Sequence, residues 1–313
     1  KEGGFWHKKI YPWQMWLDGL YMGEPFYAEY SKVFGEDNWN DIANQFVWME
    51  KHSLDPKTGL LYHGWDESKE QRWANKQTGQ SPHFWGRAMG WYAMGLVDTL
   101  DHFPKDHPRI RSFVTDYSKT LAMSALGAMI AGPHCAGSDI VTRYVRRAGG
   151  SAEASVCGAG FKTSVEGAAL ANATYAHATE YEDDSFPEAV SSYTIFPVIF
   201  ALGEHLRSDG RTALAAFVAA YEAQARIGLA CREARRLGYM VLSLAGSIGC
   251  AAAAARMLGL DTGATVNAIS IAASQASGLG YQTGTMAHIA EMGFAARNGL
   301  TAALLAADGF TGQ

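Results

Sequence analysis

A chain of 313 residues is long enough for two domains, and with 48% apolar residues it can bury a large core. A net charge of -5 and the lack of a basic arm exclude a nucleic-acid-binding surface. The longest apolar stretches, such as Val241–Ala255, are broken by Gly and Ser and fall short of a bilayer span, so no membrane partner is expected.

In chain order, the spacing predicts a first helix over 25–34, with Pro25 at its opening turn and Gly35 as its stop. Ile42, Phe46 and Met49 recur at i, i+4 and i+7 and predict an amphipathic helix over 40–52. Asp55-Pro56-Lys57-Thr58-Gly59 reads as a turn, followed by extended chain over 60–63. A third helix is expected over 83–103. Phe103-Pro104-Lys105-Asp106-His107-Pro108 then breaks the pattern with two prolines. Beyond it, helices are expected over 113–131, 163–184, 194–208, 211–229, 242–259, 262–277 and 286–308. Small residues dominate them and permit close helix packing. With no βαβ alternation, the expected fold class is all-α.

Composition changes abruptly along the chain. All nine tryptophans lie at or before Trp91, and all four cysteines lie after residue 110. The expected division is therefore 1–108 and 109–313. Cys135, Cys157, Cys231 and Cys250 form no CxxC pair, so they read as buried free thiols, and no metal or dithiol site is expected. Lys1–Lys9 has no apolar leader character, and the expected location is cytoplasmic.

In the first part, Asp18 sits among Tyr11, Trp13, Trp16 and Tyr21. Aromatic walls strip solvent from a carboxyl and favour its neutral form, as a general acid requires, and rings of this kind also stack on sugars. A carboxylate that merely ties down a loop would read the same. His63 and Asp66 flank Trp65, while Arg87 and Trp91 stand one helical turn apart. Arg87 offers a two-pronged donor for a uronic-acid carboxylate. His7, His63 and His83 have no helical metal-ligand spacing, and each taken singly also reads as a hydrogen-bonded structural histidine.

The segments Tyr11–Phe26 and His83–Trp91 carry a resemblance: residues 5–103 resemble the glycoside hydrolase family 105 proteins, the unsaturated rhamnogalacturonyl hydrolases. That resemblance implies hairpins of an (α/α)6 barrel. It implies hydration of the C4=C5 double bond of an unsaturated uronyl disaccharide, with Asp18 as general acid and base. His7, Trp16, His63, Arg87 and Trp91 are implied as substrate-binding residues. Only about a third of that family's length has a counterpart, and its second important aspartate has none.

In the second part, His177, Glu180 and Asp183 fall within an acidic cluster read as one helix, placing His177 one turn from Glu180 and from Tyr181. An acidic helix end facing solvent is the alternative. His288 and Glu291 are three apart on another helix, as an acid/base pair or a plain ion pair. Arg226, Arg232, Arg235, Arg236 and Arg297 read as solvated. Glu166–Asn172 with His177–Asp184, Ala272–Gly278, and Ala295–Ala306 with Gly309–Gly312 make residues 113–313 similar to the MmgE/PrpD superfamily. The resemblance implies cofactor-free proton abstraction beside a carboxylate in small di- or tricarboxylates. His177, Glu180, His288 and Glu291 are implied as catalytic, Asp183 as substrate-binding, and a homodimer through this part. Gly238-Tyr239-Met240 stands where the dehydratases have Gly-Phe-His, the His-Pro expected near Ser191–Tyr193 is missing, and His288 replaces a lysine. These departures favour an iminodisuccinate-epimerase-like branch.

Three readings follow: a hydrolase through the first part, an epimerase or dehydratase through the second, or an inactive fusion of two truncated domains. Weak turnover or none is expected from both parts.

Overall fold

The computed structural model describes residues 3–58, 60–181 and 191–312. The chain is all-α: eleven α-helices and two short antiparallel strand pairs make up the regular structure among the described residues. It forms two compact units, Lys1–Thr120 and Leu121–Gln313, which divide within one helix rather than at the proline pair.

In the first unit, β1 (Gln14–Trp16) pairs with β2 (Gly64–Asp66), Met15 standing opposite Trp65. Sequence periodicity did not show this pair, because each strand is three residues long. The chain passes directly from β1 into α1 (Leu17–Phe34). The expected helix start at Pro25 is thereby corrected: Pro25 lies inside α1. Leu17, Leu20, Glu24, Ala28 and Ser31 form one buried seam that runs past the proline. Packing along this seam outweighs the backbone hydrogen bond that the proline forgoes. Gly35 ends the helix as expected, in the left-handed conformation with its N–H on the Ser31 carbonyl.

Helix α2 (Trp39–Ser53) buries Ile42, Phe46 and Met49 as its spacing predicts. Helix α3 (Gly86–His102) starts later than residue 83 because Ser81 donates to the Gly64 carbonyl and Trp85 remains extended. A Cβ on Gly95 of α3 would stand 3.2 Å from the Tyr21 backbone, so this glycine lets α1 and α3 meet closely. Leu17, Leu20, Ile42, Phe46, Met49, Tyr92 and Leu96 make the core between the three helices.

The division into units falls within α4 (Ile110–Ala131). The second unit continues through α5 (Ser138–Ala148), the hairpin of β3 (Ala154–Val156) and β4 (Phe161–Thr163), and α6 (Val165–Ala178). Next come α7 (Ser192–Leu206), α8 (Gly210–Ala230), α9 (Val241–Leu258), α10 (Thr262–Ser274) and α11 (Met286–Ala307). Several starts are fixed by side-chain caps: Ser164 accepts from Gly167, Asp209 from Thr212 and Asp261 from Ala264.

Helix α11 lies against α6, α9 and α10. A Cβ on Gly293 would come within 2.6 Å of the Leu170 carbonyl of α6. One on Gly299 would come within 2.5 Å of Cys250 on α9. Both neighbours are helix interiors, so neither glycine tolerates a side chain without displacement. Helix α9 is long and apolar enough to cross a membrane by length and composition, but 78% of it is buried inside the unit.

The expected helix over 163–184 is shortened at both ends. Phe161–Thr163 is strand, α6 stops at Ala178, and Glu180 has a positive φ of 51°. His177 and Tyr181 therefore do not share a helix face, and Tyr181 is exposed. Asp183 lies outside the described residues.

Candidate functional sites in the two units

The first-unit site forms where β1 turns into α1. Trp16 is the last strand residue, and its extended backbone puts Asp18 into the first turn of α1. The His7 ring stacks on Trp16 with centroids 4.9 Å apart and planes within 7°, and Tyr11 is parallel to both. His7 is held here by its own N–H, which donates 2.8 Å to the Gln14 carbonyl. Trp16 donates through Nε1 to Gln14 Oε1 at 3.1 Å, and the edges of His63 and Trp73 meet it at right angles.

His63 is fixed in turn. Its Nδ1 lies 3.0 Å from the His83 carbonyl and 3.1 Å from Ser81 Oγ, while Trp85 packs edge-on against it. Arg87 lies over Trp85, its guanidinium carbon 4.2 Å from the ring centroid. Trp91 packs at 4.6 Å on Tyr21, one turn along α1 from Asp18. His7, Trp16, Asp18 and His63 thus share one locus, with Arg87 and Trp91 joined to it through Trp85 and Tyr21. Sequence reading passed over Gln14, Trp73 and Trp85 as supports, since each acts through a long-range contact.

Two buried polar atoms are uncommitted there: Asp18 Oδ1 and His7 Nδ1 have no hydrogen-bond partner. Burial keeps the His7 pKa below that of an ordinary histidine, against the opposing pull of the Asp18 charge. Gly19 makes this packing possible, because a Cβ there would stand 2.8 Å from His7 Nδ1. Asp66, by contrast, is structural: its carboxylate accepts from Ser68 N–H, Ser68 Oγ and Gln71 N–H, and it is fully buried.

The second-unit site lies where α6 ends and α11 begins. His177 lies in the last turn of α6 and His288 in the first turn of α11, their ring centroids 4.6 Å apart at 66°. Both are buried. His288 Nδ1 faces Glu291 Oε2 at 3.3 Å, and Glu291 Oε1 accepts the Leu279 N–H at 2.8 Å. Glu291 is itself buried, so these two bonds fix both carboxylate oxygens. With its Nδ1–H donating to Glu291, His288 presents Nε2 outward, 3.9 Å from Glu180 Oε1. Glu180 has a left-handed backbone, and its N–H donates to the His177 carbonyl.

His177, Glu180 and His288 open on a cavity of about 470 Å³ that Arg235, Arg236, Tyr239 and Tyr281 also line. Arg235 and Arg236 are solvent-exposed, as the sequence reading has them, and also border this cavity, Arg236 pairing with Glu233 at 2.9 Å. They arrive on a 3-10 turn, Arg232–Leu237, whose helical character the sequence did not show. Two arginines beside paired histidines suit an anionic ligand.

The fold and the sites define an all-α chain with an aromatic, carboxylate-bearing locus in one unit and a paired-histidine cavity in the other. The chain belongs to the MmgE/PrpD family through residues 106–313, which match the MmgE/PrpD N-terminal domain. Residues 1–127 match the model described as Glycosyl Hydrolase Family 88. Protein Atu3128 of Agrobacterium fabrum is 45% identical over 86 residues, covering 27% of this chain and 36% of that protein. The unsaturated rhamnogalacturonyl hydrolase YesR of Bacillus subtilis is 33% identical over 118 residues, covering 37% and 32%. A solved family 105 glycoside hydrolase from C. acetobutylicum is 36% identical with a TM-score of 0.41, covering 65% of this chain and 52% of that one. The chain spans about a third of the length of the curated relatives named here.

Proposed function

We propose that the first unit hydrates the C4=C5 double bond of an unsaturated uronyl sugar, with Asp18 as general acid and base. The observation that carries this reading is the uncommitted, buried Asp18 Oδ1 beside the His7–Trp16 stack. Asp18 delivers its proton to C4. Water then bonds to C5 and returns a proton to the carboxylate, and the resulting hemiketal opens without a two-carboxylate displacement. Trp16 and Tyr11 supply the apolar face for the sugar ring, and Arg87 the cation for its carboxylate. The identity to YesR supports the substrate class. Loss of the vinyl-ether absorbance of an unsaturated uronyl disaccharide tests it. Slow consumption is expected from the chain, and about 10²–10⁴-fold less from Asp18→Asn. Sugar binding without consumption would favour a non-catalytic fusion.

A second reading belongs to the second unit and is favoured by the His177–His288 pair. Two bases facing one cavity suit removal and return of a proton beside a carboxylate, the chemistry of an epimerase acting on small dicarboxylates such as iminodisuccinate. His288 Nε2 serves as one base with Glu291 holding its tautomer, His177 as the other, and Arg235 and Arg236 bind the carboxylates. No cofactor enters either reaction, and the cytoplasm is the proposed location. Incorporation of solvent deuterium at the α-carbon of an amino-dicarboxylate tests this reading. Its absence at every pH between 6 and 9 would refute it.

A further inference from the structure

The second-unit cluster has a property that proton transfer does not require. One ligand atom from each of His177, Glu180 and His288 lies within 4.8 Å of the others. Two imidazoles and one carboxylate are the donor set that leaves a divalent transition ion with an open position. The arrangement behind the donors matters as much. A metal-bound histidine ordinarily gives its other ring N–H to a carboxylate. His288 does so toward the buried Glu291, whose second oxygen is anchored by the Leu279 N–H. The outer support is therefore already in place.

We propose that His177, Glu180 and His288 form a binding site for a divalent transition ion of the zinc class, with Glu291 as its outer support. Donors on a tetrahedral zinc with ~2.0 Å bonds stand roughly 3.3 Å apart. The separation between His288 Nε2 and Glu180 Oε1 is 3.9 Å, and the Glu180 side chain is 59% exposed and can swing in. His177 and His288 are buried on two helices that pack together, so two of the three donors are held without cost to loop order. The fourth position opens on the cavity beside Arg235 and Arg236, where a small carboxylate can complete the coordination. Oxygen-seeking Mg²⁺ and Ca²⁺ are a poor match for paired imidazoles. A bound ion occupies the lone pairs that proton transfer needs, so the metal-loaded site does not carry out that transfer even where a small carboxylate completes the coordination. Binding is read directly and stands whether or not either reaction occurs.

Titration calorimetry of the full chain with ZnCl₂ tests the proposal, paired with the visible absorption of Co²⁺ bound in its place. One equivalent of Zn²⁺ is expected at this site, with a tetrahedral Co²⁺ spectrum and no response to MgCl₂. Glu180→Gln changes an exposed side chain and is expected to weaken Zn²⁺ binding at least ~10-fold with the far-ultraviolet dichroism intact. Glu291→Gln, which does not touch the ion, is expected to weaken it ~10–100-fold. The proposal is overturned if the chain binds no Zn²⁺, or if binding is unchanged in both variants.

Discussion

At the level of single residues, Glu24 is a carboxyl whose chemistry departs strongly from the ordinary range. It lies on α1 among apolar neighbours, 1% exposed, with Oε2 unpartnered. Burial, reinforced by the Asp41 charge, raises its pKa from 4.5 to about 8. The folded chain thus holds a proton that the unfolded chain releases across that window, so this group's contribution falls as pH rises from about 4.5 to about 8. The loss is on the order of a few kcal/mol. Tryptophan-fluorescence melts should show the first unit less stable at pH 8.5 than at pH 5.5, and Glu24→Gln should flatten the difference. An unchanged slope in the variant would contradict the assignment. Gly19 gives a second prediction. Gly19→Ala pushes the His7 ring off Trp16, so sugar binding should weaken about 10-fold, a loss of ~1.4 kcal/mol, while the melting temperature changes little. The sequence exposed Asp18 and its aromatic neighbours because they are adjacent in the chain. It did not expose the partnerless oxygen, or the satisfied state of Asp66, since both depend on what folds against them.

Among the elements, α11 has the strictest requirements. It carries His288 and Glu291 on its first two turns and then passes between α6 and α9 where Gly293 and Gly299 leave no room for a side chain. Gly293→Ala should cost ~1–3 kcal/mol of second-unit stability and shift the His177–His288 pair, measurable by chemical denaturation followed through far-ultraviolet dichroism. A neutral outcome would mean that the helices separate easily there. Long apolar helices such as α9 and α11 were legible because their length and breaks are written in small residues and glycines. The start of α1 was not, because its buried seam overrides the local signal of Pro25. The end of α6 was missed for a related reason: the acidic residues after it fit a helical period, yet Glu180 takes a left-handed turn that only the tertiary structure selects. Helix α5 carries Ile140, Val141, Tyr144 and Val145 at helical spacing, a short stripe that the sequence reading passed over between the glycines at 137 and 149.

For the whole molecule, the all-α class and the two family resemblances were readable because long helical periods and contiguous motifs survive in one dimension. The strand pairs and the arginines of the second cavity needed the fold. The aromatic core of α1–α3 lies in the first unit, and the small-residue core of α6, α7, α9 and α11 lies in the second. Heating should therefore give a tryptophan-fluorescence transition for the first unit that is displaced from the later dichroism transition of the second. Coincident transitions would show cooperative unfolding instead. If the two proposed sites act independently, each responds to its own substitution alone. A crossed assay of Asp18→Asn and His288→Gln on both substrates tests it most directly. Asp18→Asn is expected to slow loss of the vinyl-ether absorbance about 10²–10⁴-fold and leave α-proton exchange intact, while His288→Gln does the reverse. If each substitution alters both reactions equally, or neither alters its own, the two sites do not act independently.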